Sequence, residues 1–71
     1  MRTLKENYKR NVAIMRENLR RGMSAGQATS AISAMRDQFV RANLYGEDEK
    51  EFINAMLAEV EAYTHVKVVE V

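Results

Sequence analysis

Leu19-Arg20-Arg21-Gly22-Met23-Ser24-Ala25-Gly26-Gln27 holds both the end of one helix and the start of the next. Gly22 is a natural stop, because glycine takes the left-handed conformation that closes a helix without a steric penalty. Ser24 and Gln27 then form a capping-box signature. The hydroxyl accepts from an amide three residues on, and the glutamine reaches back to the serine amide. A stop and a start this close together predict two helices joined by a tight turn, which favours antiparallel neighbours.

Upstream, Thr3 and Glu6 repeat the capping-box pattern. Leu4, Tyr8, Val12, Met15 and Leu19 follow at steps of four and three and trace one stripe of a helix. Downstream, Ala25, Ala28, Ile32, Met35, Phe39 and Ala42 do the same. The first half of this second helix is rich in Ala, Ser and Gly, so a neighbour can approach closely. The second half carries the bulk, in Met35, Phe39 and Val40. Asn43-Leu44-Tyr45-Gly46 reads as its C-terminal end. Glu47, Asp48 and Glu49 complement the positive N-terminal end of a third helix, with Asp48 and Glu51 as the expected cap and its partner. Phe52, Ile53, Met56, Leu57, Val60 and Tyr63 form that helix's apolar face. The expected fold class is therefore all-α: a three-helix domain over residues 1–63, built from an antiparallel helical hairpin and a third helix, with a short β-prone C-terminal tail.

The tail is Thr64-His65-Val66-Lys67-Val68-Val69-Glu70-Val71, residues 64–71. Four β-branched valines in eight residues fit a strand better than a helix. A lone strand leaves its backbone groups unpaired, so three outcomes stand open: a frayed end, a continued helix, or pairing with another chain. The functional reading is pairing with a second copy or a partner's sheet edge through Val66, Val68, Val69 and Val71.

Seventy-one residues make one domain. A chain of this size buries only about 60% of the surface of its unfolded form, and its core supplies roughly 3–5 kcal/mol. Cysteine is absent and histidine occurs once, so neither disulfides nor a structural zinc site reinforces the fold. Oligomerisation, as a dimer, is the remaining device. The opening Met1-Arg2-Thr3-Leu4-Lys5-Glu6 does not read as a signal peptide. No apolar run approaches the roughly 20 residues that span a bilayer. The expectation is a cytoplasmic protein with no membrane partner.

The net charge of +1 conceals a polarity. In residues 1–22, seven basic side chains against two acidic leave +5. In residues 23–46, two against one leave +1. In residues 47–71, two against seven leave −5. On a helical wheel, Arg2, Lys5, Lys9, Arg16 and Arg20 gather beside the apolar stripe of the first helix. Five cations along about 27 Å suit an acidic protein surface or a phosphate backbone. Asn7, Asn11 and Asn18 border the other side of the stripe, and asparagine reads adenine edges. The acidic third helix competes for the same cations, within the chain or across a dimer.

Catalytic constellations do not survive inspection. His65 sits in a terminal tail without an orienting partner or pocket. Ser24, Ser30 and Ser33 have no base at triad spacing, and Ser24 is better used as a cap. Glu47-Asp48-Glu49-Glu51 lacks the glycine placement of a calcium loop. Gly22-Met23-Ser24-Ala25-Gly26 lacks the spacing and lysine of a phosphate loop. A helix-turn-helix needs small or apolar residues where Asn18 and Arg21 stand. No catalytic residue, metal or cofactor is expected.

The reading is a small non-enzymatic regulator or inhibitor that binds an acidic surface of another protein and assembles with itself. Partner contact is assigned first to Arg16, Arg20 and Arg21, then to Arg2, Lys5 and Lys9. The alternative is nucleic-acid binding through phosphates along the first helix. In type, such a chain is similar to the very small phage and mobile-element proteins that inhibit or redirect a host factor.

Overall fold

A computed structural model describes the backbone of residues 3–69 and the side chains of residues 3–64. Three helices follow one another: α1 (Leu4–Arg20), α2 (Ala25–Arg41) and α3 (Glu47–Val69).

The predicted starts and stops reappear as bonds. Thr3 Oγ1 accepts the Glu6 amide at 3.2 Å. At Ser24 both halves of the capping box form, with the Gln27 amide at 3.1 Å from Ser24 Oγ and the Ser24 amide at 3.3 Å from Gln27 Oε1. Helices α1 and α2 end alike. Beyond Arg21 the Met23 amide bonds the Asn18 carbonyl at 3.0 Å, and beyond Ala42 the Leu44 amide bonds the Phe39 carbonyl at 2.8 Å. This closure requires a left-handed residue just past the cap. Gly22 fills that place with φ +117° and Asn43 with φ +59°.

The start of α3 differs from expectation. Asp48 and Glu51 lie inside the helix, one and four residues past its first residue Glu47. Gly46 holds the cap position instead. Its carbonyl accepts the Lys50 amide at 3.0 Å, and its own amide donates to Glu49 Oε1 at 2.9 Å. Glycine is an acceptable cap residue, and the carboxylate three residues on supplies the missing side-chain partner.

The contacts of α1 and α3 rise in step, Tyr8 with Glu49 and then Arg16 with Glu59. These two helices therefore run in the same direction. Helix α2 runs against both, since Phe39 near its end meets Tyr8 and Phe52 near the starts of the others. The helical hairpin is loose. Helices α1 and α2 share few contacts, and each packs mainly on α3.

The core joins Met15 and Leu19 of α1, Ala28 and Ile32 of α2, and Phe52, Ile53, Met56 and Val60 of α3. Each falls on its predicted apolar face. Tyr8, Val12, Met35, Phe39 and Tyr63 pack against it half-buried. Leu4, Ala42 and Leu57, from the same sequence stripes, stand exposed. An aromatic trio closes one end: Tyr8 stacks on Phe52 at 4.4 Å between centroids, and Phe39 meets both edge-on at 6.1 and 6.3 Å. Such arrangements place positive ring edges against negative ring faces.

The backbone of α3 continues as helix into the valine-rich segment. The side chains of Val66, Val68, Val69 and Val71, and any pairing through them, lie outside the described residues. Among the described residues, no helix is long and apolar enough to cross a membrane.

Candidate functional site

Parallel packing of α1 on α3 decides the fate of the basic face. The basic α1 lies beside the acidic α3, so a cation expected to seek a partner can meet a carboxylate of its own chain.

Arg16 is the clearest case. Its guanidinium makes a fork with Glu59, Nε to Oε2 at 2.9 Å and a terminal nitrogen to Oε1 at 2.7 Å. This planar two-bond geometry is what arginine offers carboxylates. The Arg16 bond holds the Glu59 carboxyl below its usual range; partial burial opposes this, and the charges of Arg16 and Arg20 reinforce it. The same bond raises the Arg16 guanidinium.

Lys5, Lys9, Asp48 and Glu51 line a small cavity of about 60 Å³ together with Tyr8, Val12, Phe52 and Ala55. Arg21 lies 3.8 Å from Glu17 in an exposed pair one turn apart. Arg2 lies outside the described residues.

Arg20, like Lys5 and Lys9, makes no ion pair within 4 Å among the described residues, though its charge acts on Glu59. It stands on the rim of an open hollow of about 370 Å³, lined also by Arg16, Leu19, Glu59, Ala62 and Tyr63. The wall has an apolar part (Leu19, Ala62, the Tyr63 ring) and a cationic edge. Both arginines are exposed, and Arg16 is bonded to Glu59. A carboxylate arriving here would meet Arg20 directly, and an apolar neighbour would cover Ala62 and the Tyr63 ring.

The structure thus divides the predicted contact set. Arg16 and Arg20 come together at one hollow, Arg21 lies next to them on the chain, and Lys5 and Lys9 lie at the far end of the helix against α3. Sequence reasoning did not assign Glu59, Ala62 or Tyr63 to the site. Their only signal was the acidity of the third helix, and a charge count does not specify which carboxylate meets which cation.

The acidic start of α3 is also occupied. Glu49 Oε2 accepts the Tyr8 hydroxyl at 2.8 Å while Oε1 takes the Gly46 amide. Glu47 lies 3.9 Å from Lys50. The Tyr8 bond, opposed by burial and aided by the Gly46 bond, holds the Glu49 carboxyl below its usual range. Burial first, then the Glu49 bond and charge, push the Tyr8 phenol up to about 12.

No protein family, curated protein or solved structure matches this chain.

Proposed function

We propose that this chain is a small non-enzymatic regulator or inhibitor that binds another protein in the cytoplasm, through the hollow at the C-terminal end of α1. One observation supports this above the rest. Arg20 lines a partly apolar concavity with no ion pair within 4 Å among the described residues, whereas the concavity's other arginine, Arg16, is bonded to Glu59. A cation beside apolar surface suits an acidic protein segment that also carries a hydrophobic side chain, the usual make-up of a protein–protein contact centre. Arg21, next to Arg20 on the chain, adds a second cation near it.

Nucleic-acid binding fits the geometry less well. A phosphate track along α1 would pass Asp48, Glu51 and Glu59, which lie beside Lys5, Lys9 and Arg16. These carboxylates repel the backbone they would have to follow.

The test is capture of partners from the native host by the full chain, with identification by mass spectrometry. Arg20→Glu and Arg21→Glu should abolish recovery of a stoichiometric protein, and Lys9→Gln should leave it in place. Equal recovery by all three variants overturns the reading. Retention of DNA or RNA that weakens steeply with salt, losing about one unit of log–log slope per removed cation, would favour the nucleic-acid alternative.

A further inference from the structure

The other end of the bundle has the opposite character. There α1 starts, α2 ends and α3 starts. Three large apolar side chains at this end are mostly exposed: Leu4 at 61%, Val40 at 56% and Leu44 at 63%. Leu4 lies one turn before Tyr8 on α1. Val40 follows Phe39, and the Leu44 amide is bonded to the Phe39 carbonyl. Tyr8 and Phe39 are themselves only half-buried, with ring centroids 6.1 Å apart. Single exposed leucines need no explanation. Two leucines and a valine exposed within a turn of one half-open aromatic cluster mark a candidate interface.

The charges at this end indicate what covers it. Lys5, Arg41 and Lys50 are exposed here, and so are Glu6, Glu47 and Asp48, with Glu47 lying 3.9 Å from Lys50. A partner of one dominant sign would be repelled by half of them. A second copy, related by a twofold axis, brings the same mixed set, so each cation can face a carboxylate. Such a contact is self-complementary by construction. The core gives an independent reason, since the eight buried side chains among the described residues are few for a chain that must fold without disulfides.

We propose that two copies of this chain meet through this end, with Leu4, Val40 and Leu44 at the centre of the contact and Lys5, Arg41, Glu47 and Asp48 around it. The hollow beside Arg20 lies at the opposite end of α1, about 25 Å away along the helix. Both hollows of the dimer then face outward, and the assembly presents two binding sites at once.

Sedimentation of the full chain from low to high micromolar concentration tests this. The mass should rise from 8.2 kDa toward twice that value. Leu44→Glu and Val40→Lys should each weaken the dimer about tenfold or more while leaving helical circular dichroism unchanged, because both side chains are exposed. Glu47→Lys should weaken it through the rim. Val68→Glu should not. A wild-type mass of 8.2 kDa throughout overturns the proposal, as does a dimer that tolerates both Leu44→Glu and Val40→Lys, or one broken by Val68→Glu alone. Partner capture by Arg20 is read separately, so a monomer that still captures its partner removes the dimer and leaves the proposed function standing.

Discussion

The hydroxyl of Tyr8 donates to Glu49 Oε2 at 2.8 Å, across 41 residues of sequence. The other oxygen of that carboxylate accepts the Gly46 amide at 2.9 Å. One glutamate thereby caps α3 and ties it to α1. Tyr8→Phe should remove the tie and keep both the ring stack and the cap. Glu49→Ala should remove tie and cap together. Thermal unfolding is expected to rank wild type above Tyr8→Phe, and Tyr8→Phe above Glu49→Ala, with losses of a few degrees each. Equal midpoints for all three would mean that solvent replaces these bonds at no cost.

The same pair gives stability a pH dependence on two sides. Glu49 and Glu59 are held below their ordinary value of 4.5 in the folded state. A lowered carboxylate contributes stability above the unfolded value and loses it as pH falls through the folded one. Tyr8 moves from 10.0 up to about 12. A raised group contributes stability in full below its unfolded value and loses it as pH rises through the folded one. Urea midpoints should therefore fall on the acid side below 4.5 and on the alkaline side between 10.0 and about 12. Tyr8→Phe should flatten the alkaline fall, and tyrosinate absorbance should show one phenol titrating late.

Phe52 and Leu57 lie on the same apolar stripe of the sequence, and the structure separates them. Phe52 is buried beneath Tyr8 and beside Phe39, while Leu57 is exposed. Phe52→Ala should cost about 3–5 kcal/mol, comparable with the roughly 3–5 kcal/mol a core of this size supplies, and leave the chain largely unfolded at 25 °C. Leu57→Ala should stay within about 0.5 kcal/mol of wild type. Urea unfolding followed by circular dichroism measures both.

Helix ends provide a third scale. Ser24→Ala removes the hydroxyl that satisfies the Gln27 amide and should cost about 1 kcal/mol. Gly22→Ala meets no crowding, but its φ of +117° is a conformation that alanine resists, and the expected cost is about 1–3 kcal/mol. Asn43 already sits at φ +59°. Asn43→Gly should be neutral or raise the unfolding midpoint slightly, because glycine favours that position.

Local signals in this chain were legible because they act over a few residues. Ser24 with Gln27, Gly22 as a stop and the four-and-three spacing of Leu4 to Leu19 need only their neighbours, and the bonds appear where the sequence placed them. The cap of α3 escaped for a related reason. Asp48 is the stronger cap residue by type, yet the helix begins one residue after Gly46, where Glu49 can serve both Gly46 and Tyr8. That choice depends on α1 being alongside.

Sequence by itself determined three helices, the ends of the first two, the faces that enter the core, and the separation of basic from acidic segments. These follow from backbone capping and periodic apolar burial, which are short-range. Sequence did not determine the end of α3, which runs to Val69 past the expected boundary at 63. Only the tertiary structure decided that α1 and α3 run parallel, that Arg16 is consumed by Glu59 while Arg20 stays on an open rim, and that Leu4, Val40 and Leu44 gather at one end. Those outcomes depend on the register of helices some forty residues apart. That register is set by how the bulky side chains Leu19, Ile32, Phe52 and Met56 interlock, which no count of charges along the chain contains.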